Sequence, residues 1–169
     1  MSKLKILVVD DFPIFRVGLG ALLSKTADLE IIGEAENGQV AIEKARQLKP
    51  HLILMDLMMP VMGGTEAIRI IKKHQPEIKI IALTGENQLK QIQATLAAGA
   101  DGYVLKDDSN LTLLTAINSV KNDQTYLSRG ICNAVLSGSA DDSEHIRSAI
   151  SWCCLNNQEQ EEITNVVAD

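Results

Sequence analysis

The chain has 169 residues, of which 46% are hydrophobic, and its formal net charge is -6. That length allows one domain of ordinary size with a remainder too short for a second complete one, and the apolar content excludes a disordered chain. Because a domain that holds nucleic acid by itself needs a basic surface, the acidic balance excludes this stretch as a self-sufficient DNA-binding protein.

Five short apolar runs alternate along the chain with segments of helical periodicity. The runs are continuously hydrophobic, which is typical of strands covered on both faces in a parallel sheet. We predict strands at 5–9, 29–35, 51–55, 79–83 and 102–106, and helices at 14–25, 38–48, 65–74, 88–98 and 110–121. This alternation predicts an α/β fold with a doubly wound, five-stranded parallel sheet, helices on both faces and a helical C-terminal tail.

The composition changes after the last predicted helix. The stretch "LSGSADDSEH" at 136–145 is small, polar and acidic, as linkers are. We therefore divide the chain into a domain at 1–124, a linker at 125–150 and a short acidic amphipathic segment at 151–169.

Two further features bear on where the protein works. No apolar run approaches the roughly 20 residues that span a bilayer, and "MSKLKILVVDD" reaches its acids too early for a signal peptide. We therefore expect a cytoplasmic protein that does not enter membranes. The cysteines are odd in number and two are adjacent, so we expect structural or incidental thiols rather than a disulfide framework or metal site. They are Cys132, Cys153 and Cys154.

Polar side chains follow four of the predicted strands. Asp10 and Asp11 follow the first strand, Asp56 the third, Thr84 the fourth and Lys106 the fifth. In doubly wound folds, ligands bind outside the carboxyl ends of the strands, where the strand order reverses. We therefore expect three carboxylates, a hydroxyl and an ammonium to face one crevice.

Crowded carboxylates need a counter-charge. Two unit charges about 4 Å apart repel by roughly 4 kcal/mol at an effective dielectric near 20, so three converging acids call for a cation. Oxygen ligands that leave room for water and phosphate suit Mg²⁺. The alternative is that the acids cap helices, since Asp11 precedes Pro13 at a favourable helix start.

Four motifs in this order resemble the receiver domain of bacterial two-component response regulators over about residues 3–122. They are "VVDD", "LILMDLMMPVMGG", "ALTG" and "GADGYVLKD". The stretches "DDFPIFRVGLGALL" and "AINSVKNDQTYLS" are similar to the NarL/LuxR-type branch. The resemblance implies a flavodoxin-like sheet of order 2-1-3-4-5.

The resemblance also implies a phosphorylation site. Asp56 would be the phosphoacceptor, and Mg²⁺ would be held by Asp10, Asp11, Asp56 and the backbone carbonyl of Met58. Phosphoryl transfer to a carboxylate needs an in-line nucleophile and positive charge on the phosphoryl oxygens. Asp56 would be the nucleophile, and the bound Mg²⁺ would supply positive charge.

Three further residues would read the phosphoryl group. Lys106 would pair with its oxygens, Thr84 would donate its hydroxyl, and Tyr103 would be the aromatic that responds by changing rotamer. Asp107 stands where many receivers have a proline, which leaves the geometry of the Lys106 loop open.

The lifetime of the phosphorylated state depends on water reaching the bond between Asp56 and phosphorus. In receivers the residue two after the phosphoacceptor lies over that path, and here it is Met58. Because a thioether accepts hydrogen bonds only weakly, Met58 cannot orient a water. Glu86 is the nearby side chain that could hold one, so we expect slow dephosphorylation.

The implied function is a signal receiver rather than a dedicated enzyme. Its partners would be a sensor histidine kinase and, after phosphorylation, a second copy. The segment "LNNQEQEEITNVVAD" resembles the opening of a LuxR-type helix-turn-helix domain, so DNA would be bound only through a C-terminal domain absent from this chain. Alternatives are a stand-alone receiver or phosphorylation-independent adaptor, and a small hydrolase, which the lack of a nearby base disfavours.

Overall fold

The computed structural model describes residues 2–138, and each predicted strand forms with its boundaries shifted by at most two residues. The apolar runs are buried on both faces; in β1, residues Ile6 to Val9 are at most 1% exposed. The strands are β1 (Leu4–Val9), β2 (Leu29–Ala35), β3 (Leu52–Asp56), β4 (Lys79–Thr84), β5 (Gly102–Leu105) and β6 (Tyr126–Leu127). The helices are α1 (Pro13–Leu23), α2 (Gly38–Leu48), α3 (Gly64–His74), α4 (Leu89–Ala97), α5 (Asn110–Lys121) and α6 (Arg129–Ser137).

The helices begin at residues suited to that position. Pro13 is the first residue of α1, where its missing N–H costs no hydrogen bond. The Asn37 side chain accepts from the backbone N–H of Val40 at the start of α2, over 3.0 Å. Ser109 does the same for Thr112 at the start of α5, over 3.2 Å. These caps satisfy N–H groups that a helix leaves unpaired.

The sheet has the strand order β2-β1-β3-β4-β5-β6, and every neighbouring pair is parallel. The predicted order 2-1-3-4-5 is confirmed, with a sixth strand added beyond β5. The pairing of β1 with β2 is irregular, because Ile6 pairs with Ile31 but Leu7 pairs with Gly33, which leaves Ile32 as a bulge.

Two apolar clusters cover the two faces of the sheet. Helices α1 and α5 lie on one face, and α2, α3, α4 and α6 lie on the other. Side chains that alternate along each strand feed the two clusters, so Leu7 belongs to one and Ile6 to the other. Within residues 2–138, no helix has both the length and the apolar character needed to cross a bilayer.

The segment predicted as a linker begins with ordered structure, which corrects the division of the chain. Tyr126 and Leu127 pair with Gly102 and Tyr103 of β5. The helix α6 then packs its apolar side into the cluster that contains α4. The prediction failed because the polar composition of the following residues masked a strand of two residues. The rest of the linker and the segment at 151–169 lie outside the described residues.

Cys132 lies on α6 and is 3% exposed. Cys153 and Cys154 lie outside the described residues.

Candidate functional site at the carboxyl edge of the sheet

The three predicted acids converge where β1 and β3 end. Val9 pairs with Met55 in the sheet, which places the two following residues, Asp10 and Asp56, side by side. Asp10 is 0% exposed and Asp56 is 2% exposed. One carboxylate oxygen from each of Asp10, Asp11 and Asp56 lies within 4.8 Å of the others. Neighbouring parallel strands thus bring Asp56 together with two acids that lie 45 and 46 residues earlier in the sequence.

Lys106 enters this cluster from the end of β5. Its Nζ lies 2.6 Å from Asp10 Oδ2 and 3.2 Å from Asp56 Oδ2. The same ammonium lies 4.6 Å from the centre of the Phe15 ring, a cation–π contact that leaves Phe15 partly buried against the core. Lys106 therefore bridges two of the three acids.

Burial raises the pKa of Asp56 above its usual value of 3.8, the nearby Lys106 charge opposes that shift, and the charge of Asp10 adds to it. The backbone N–H of Met58 donates to Asp56 Oδ1 over 3.3 Å, which favours the ionised form. The phosphoacceptor predicted from the sequence is thus a carboxylate whose ionisation costs free energy at this position.

The helix-cap alternative is not supported at α1, whose N-cap residue is Phe12 and which has no side-chain cap hydrogen bond. Asp10 Oδ1 accepts from the backbone N–H of Phe12 over 2.8 Å, at the start of α1. Asp11 Oδ1 is buried and has no hydrogen-bond partner among residues 2–138. A buried carboxylate oxygen without a donor is costly, and a cation would satisfy it. The oxygen donors present therefore fit a hard divalent ion such as Mg²⁺.

The position of Gly64 explains why the second motif, "LILMDLMMPVMGG", ends in glycine. Its N–H donates to the carbonyl of Leu57 over 3.0 Å, so α3 begins directly against the end of β3. A side chain at this position would overlap the backbone carbonyl of Asp56. Only glycine permits this approach, which fixes the backbone that carries Asp56.

Thr84 and Tyr103 lie on neighbouring strands and are both 0% exposed. Thr84 Oγ1 accepts from the backbone N–H of Glu86 over 3.2 Å, and the Thr84 carbonyl accepts from Lys106 N over 2.7 Å. Tyr103 pairs with Ala82, two residues before Thr84. Burial raises the pKa of the Tyr103 hydroxyl above its usual range, and the nearby Thr95 hydroxyl opposes the shift. The hydroxyl nevertheless lacks a partner with full hydrogen-bond geometry among the described residues.

Met58 and Glu86 lie at the mouth of the site. Met58 is 60% exposed, and its sulfur accepts from Gln91 Nε2 of α4 over 3.4 Å. Glu86 accepts from Gln88 Nε2 over 2.9 Å and is therefore engaged with a neighbour rather than with the acids.

Three supporting residues were not predicted from the sequence. Asp108, rather than Asp107, ties the loop after β5, because its Oδ2 accepts from Leu105 N over 2.9 Å. Arg16 Nη1 donates to the Asp10 carbonyl over 2.7 Å. Gln91, on α4, donates to the sulfur of Met58, which lies between β3 and α3. Charged or amide residues in loops and helices give no periodic signal, so only the tertiary structure identifies them.

Comparison with known proteins agrees with this geometry. The model of the response regulator receiver domain matches residues 6–118. The response regulator protein VraR of Staphylococcus saprophyticus is 40% identical over 122 residues, which cover 72% of this chain and 58% of that protein. The chain therefore spans less than two thirds of the length of that relative.

Solved structures share the fold. A LuxR-family two-component response regulator from Aurantimonas sp. has a TM-score of 0.78 at 28% identity, covering 83% of this chain and 100% of that one. The isolated receiver domain of RcsB from Salmonella enterica serovar Typhimurium, with the phosphomimetic BeF3-, has a TM-score of 0.73 at 26% identity, covering 79% and 99%. A structure of two RcsB dimers bound to two parallel DNAs has a TM-score of 0.73 at 26% identity, covering 79% and 68%.

Proposed function

Because the chain belongs to the response regulator receiver domain family, we propose that it accepts a phosphoryl group on Asp56 from a sensor histidine kinase. The observation that carries the proposal is the convergence of Asp10, Asp11 and Asp56 with Lys106 at one edge of the sheet. A carboxylate nucleophile beside a lysine and a cluster of oxygen donors is what phosphoryl transfer to an aspartate requires.

In the proposed reaction an Asp56 carboxylate oxygen attacks phosphorus, and the bond from phosphorus to the histidine nitrogen of the kinase breaks. The leaving imidazole takes up a proton from water. Asp10, Asp11, Asp56 and the Met58 carbonyl would hold Mg²⁺, which when bound would supply positive charge to the phosphoryl oxygens. Lys106 pairs with another of those oxygens, because its ammonium already lies 3.2 Å from Asp56 Oδ2.

The charge added at Asp56 then acts on Thr84 and Tyr103. A phosphoryl group carries about -1.5 to -2 charge and offers new acceptor oxygens. The Thr84 hydroxyl moves from its present position to donate to one of these oxygens. The space that it leaves makes room for the aromatic ring of Tyr103. Since both residues are fully buried, the effect of phosphorylation is transmitted through packed side chains rather than through solvent.

The output we propose is regulation of transcription in the cytoplasm. RcsB, which shares the fold, forms dimers on DNA. We propose that phosphorylation likewise promotes a homodimer of this protein, through the α1 and α5 surface or the α4 surface, and that DNA is bound by residues beyond the receiver. Sedimentation at matched concentration tests the dimer; identical profiles before and after phosphorylation contradict it.

The experiment that tests the central proposal uses a small phosphodonor with Mg²⁺. We expect a mass gain of one phosphate that is lost in Asp56→Asn and in the absence of Mg²⁺. The matched control is Asp107→Asn, which changes an exposed acid near the site and should leave the mass gain intact. A chain that binds its partner without any mass gain would instead be a phosphorylation-independent adaptor, and a chain that turns over the donor without becoming modified would be an enzyme.

A further inference from the structure

The added helix α6 lies against β5, which carries the predicted switch residue Tyr103, and against α4. It contacts α4 and β5, and its buried residues Ile131 and Val135 belong to the same apolar cluster as Ile92 of α4 and Tyr103 of β5. A helix that buries its apolar side is held in place by that contact, since removing large aliphatic side chains from water is favourable.

The strand before α6 is bonded directly to Tyr103. Leu127 pairs with Tyr103 in the sheet, and the backbone N–H of Ser128 donates to the Tyr103 carbonyl over 2.9 Å. Ser128 is the N-cap residue, directly before the first residue of α6. The start of α6 is therefore joined by a backbone hydrogen bond to the predicted switch residue.

Both ends of α6 pack closely against side chains of neighbouring elements. A methyl group built on Gly130 would come within 2.5 Å of Leu105 Cδ1, the residue before Lys106. A methyl group built on Gly138, just past the end of α6, would overlap Leu89 at the start of α4. Small residues at both ends allow this close approach, so a shift of β5 or α4 displaces α6.

We propose that α6 is the element through which this chain passes its phosphorylation state to the residues that follow Ser137. With Tyr103 buried, β6 and α6 are docked; phosphorylation of Asp56 favours that arrangement and so tightens the docking of residues 126–137. This inference rests on the proposed function, since it assumes that an anion at Asp56 drives the switch. The coupling is reciprocal, so loosening α6 weakens binding of a phosphoryl group or its analogue by the same factor.

The probe is beryllofluoride with Mg²⁺, which mimics a phosphoryl group on the full chain without chemical turnover. We expect hydrogen exchange of the backbone amides at 126–137 to slow by about fivefold or more when the probe binds. The Ser128 amide is the most informative, because its acceptor is the Tyr103 carbonyl.

A matched pair of glycine substitutions tests the reciprocal effect. Gly130→Ala and Gly18→Ala both add a methyl group to a helix and raise its intrinsic propensity similarly. At Gly18 the methyl group meets nothing within 4 Å, whereas at Gly130 it crowds Leu105. We expect Gly130→Ala to weaken the dissociation constant for beryllofluoride by about fivefold and Gly18→Ala to leave it unchanged.

The outcomes separate the inference from the function beneath it. Binding of the probe with unchanged exchange at 126–137, or equal affinities in both glycine variants, overturns the role of α6 and leaves the phosphoacceptor site standing. No binding of the probe by the unmodified chain overturns both.

Discussion

Lys106 Nζ lies closer to Asp10 than to the carboxylate we propose as phosphoacceptor, at 2.6 Å from Asp10 Oδ2 against 3.2 Å from Asp56 Oδ2. Asp10 is 0% exposed, so its charge has little access to solvent. The lysine thus neutralises the least exposed acid of the cluster. A phosphoryl group on Asp56 offers it other oxygens, and we expect the lysine to exchange one anion for the other during activation.

Lys106→Ala should destabilise the protein by about 2 kcal/mol in the absence of divalent cation, because it leaves buried acids without a counter-charge. Thermal unfolding with and without Mg²⁺ measures this, and the cation should recover part of the loss. Lys121→Ala is the control, since Lys121 pairs with Asp28 in an exposed position and such pairs contribute about 1 kcal/mol or less. Equal losses in the two variants would contradict a special role for the Lys106 contacts.

Asp56→Asn should stabilise the protein at neutral pH by about 1 kcal/mol without metal. The raised pKa of Asp56 means that its favourable contribution is complete below the usual value of 3.8 and declines as the pH rises through the folded-state pKa. The stability difference between the variant and the parent should therefore grow with pH and vanish in acid. Chemical denaturation across this range measures it; a difference that grows on acidification would mean that the pKa is lowered instead.

Asp11→Ala should abolish phosphorylation while the fold stays intact. Its Oδ1 is buried without a partner among residues 2–138, so removing the carboxylate relieves repulsion and should raise stability by about 1 kcal/mol in metal-free buffer. Asp107→Ala, which removes an exposed acid nearby, is the control and should change neither property. A clear loss of thermal stability in metal-free Asp11→Ala would argue against the crowded cluster.

Met58→Asn should accelerate loss of the phosphoryl group by about tenfold, because an amide can orient the attacking water and a thioether cannot. The half-life of phospho-Asp56 measures this. Met58→Leu keeps an apolar side chain of similar size and should leave the half-life near that of the parent. If the asparagine variant decays as slowly as the leucine variant, water is ordered by another residue and Met58 does not shield the site.

The sequence predicted the strands and the residues of the acid cluster because each rests on a local signal, whereas the strand order was implied by the resemblance to receiver domains. Continuous apolar runs mark the strands, and parallel pairing then brings their ends together. The bridge from Lys106 to Asp10 could not be predicted in this way, since it depends on a side chain that spans a crevice. Gly64 was part of a motif in the sequence. The reason that glycine is needed there is the closeness of the Asp56 carbonyl, which only the three-dimensional structure shows.

The strand β6 was missed for a different physical reason. Two residues are too few to show a period, and their place beside β5 is fixed by hydrogen bonds to the backbone of Tyr103 rather than by composition. The helix α6 carries an apolar side, but the polar stretch after it dominated the prediction for the whole segment. Short elements that are held by tertiary contacts are therefore the part of this fold that hydrophobic periodicity alone does not predict.

The two outer strands of the described sheet are both poor templates for a strand from another molecule. On one side β2 is interrupted by the bulge at Ile32, and on the other β6 offers only two residues. Interrupted and very short edges are features by which natural proteins avoid edge-to-edge aggregation. At high concentration, the sheets of two copies of this protein should therefore resist irreversible edge-to-edge pairing. Reversible association would then occur through the helical surfaces.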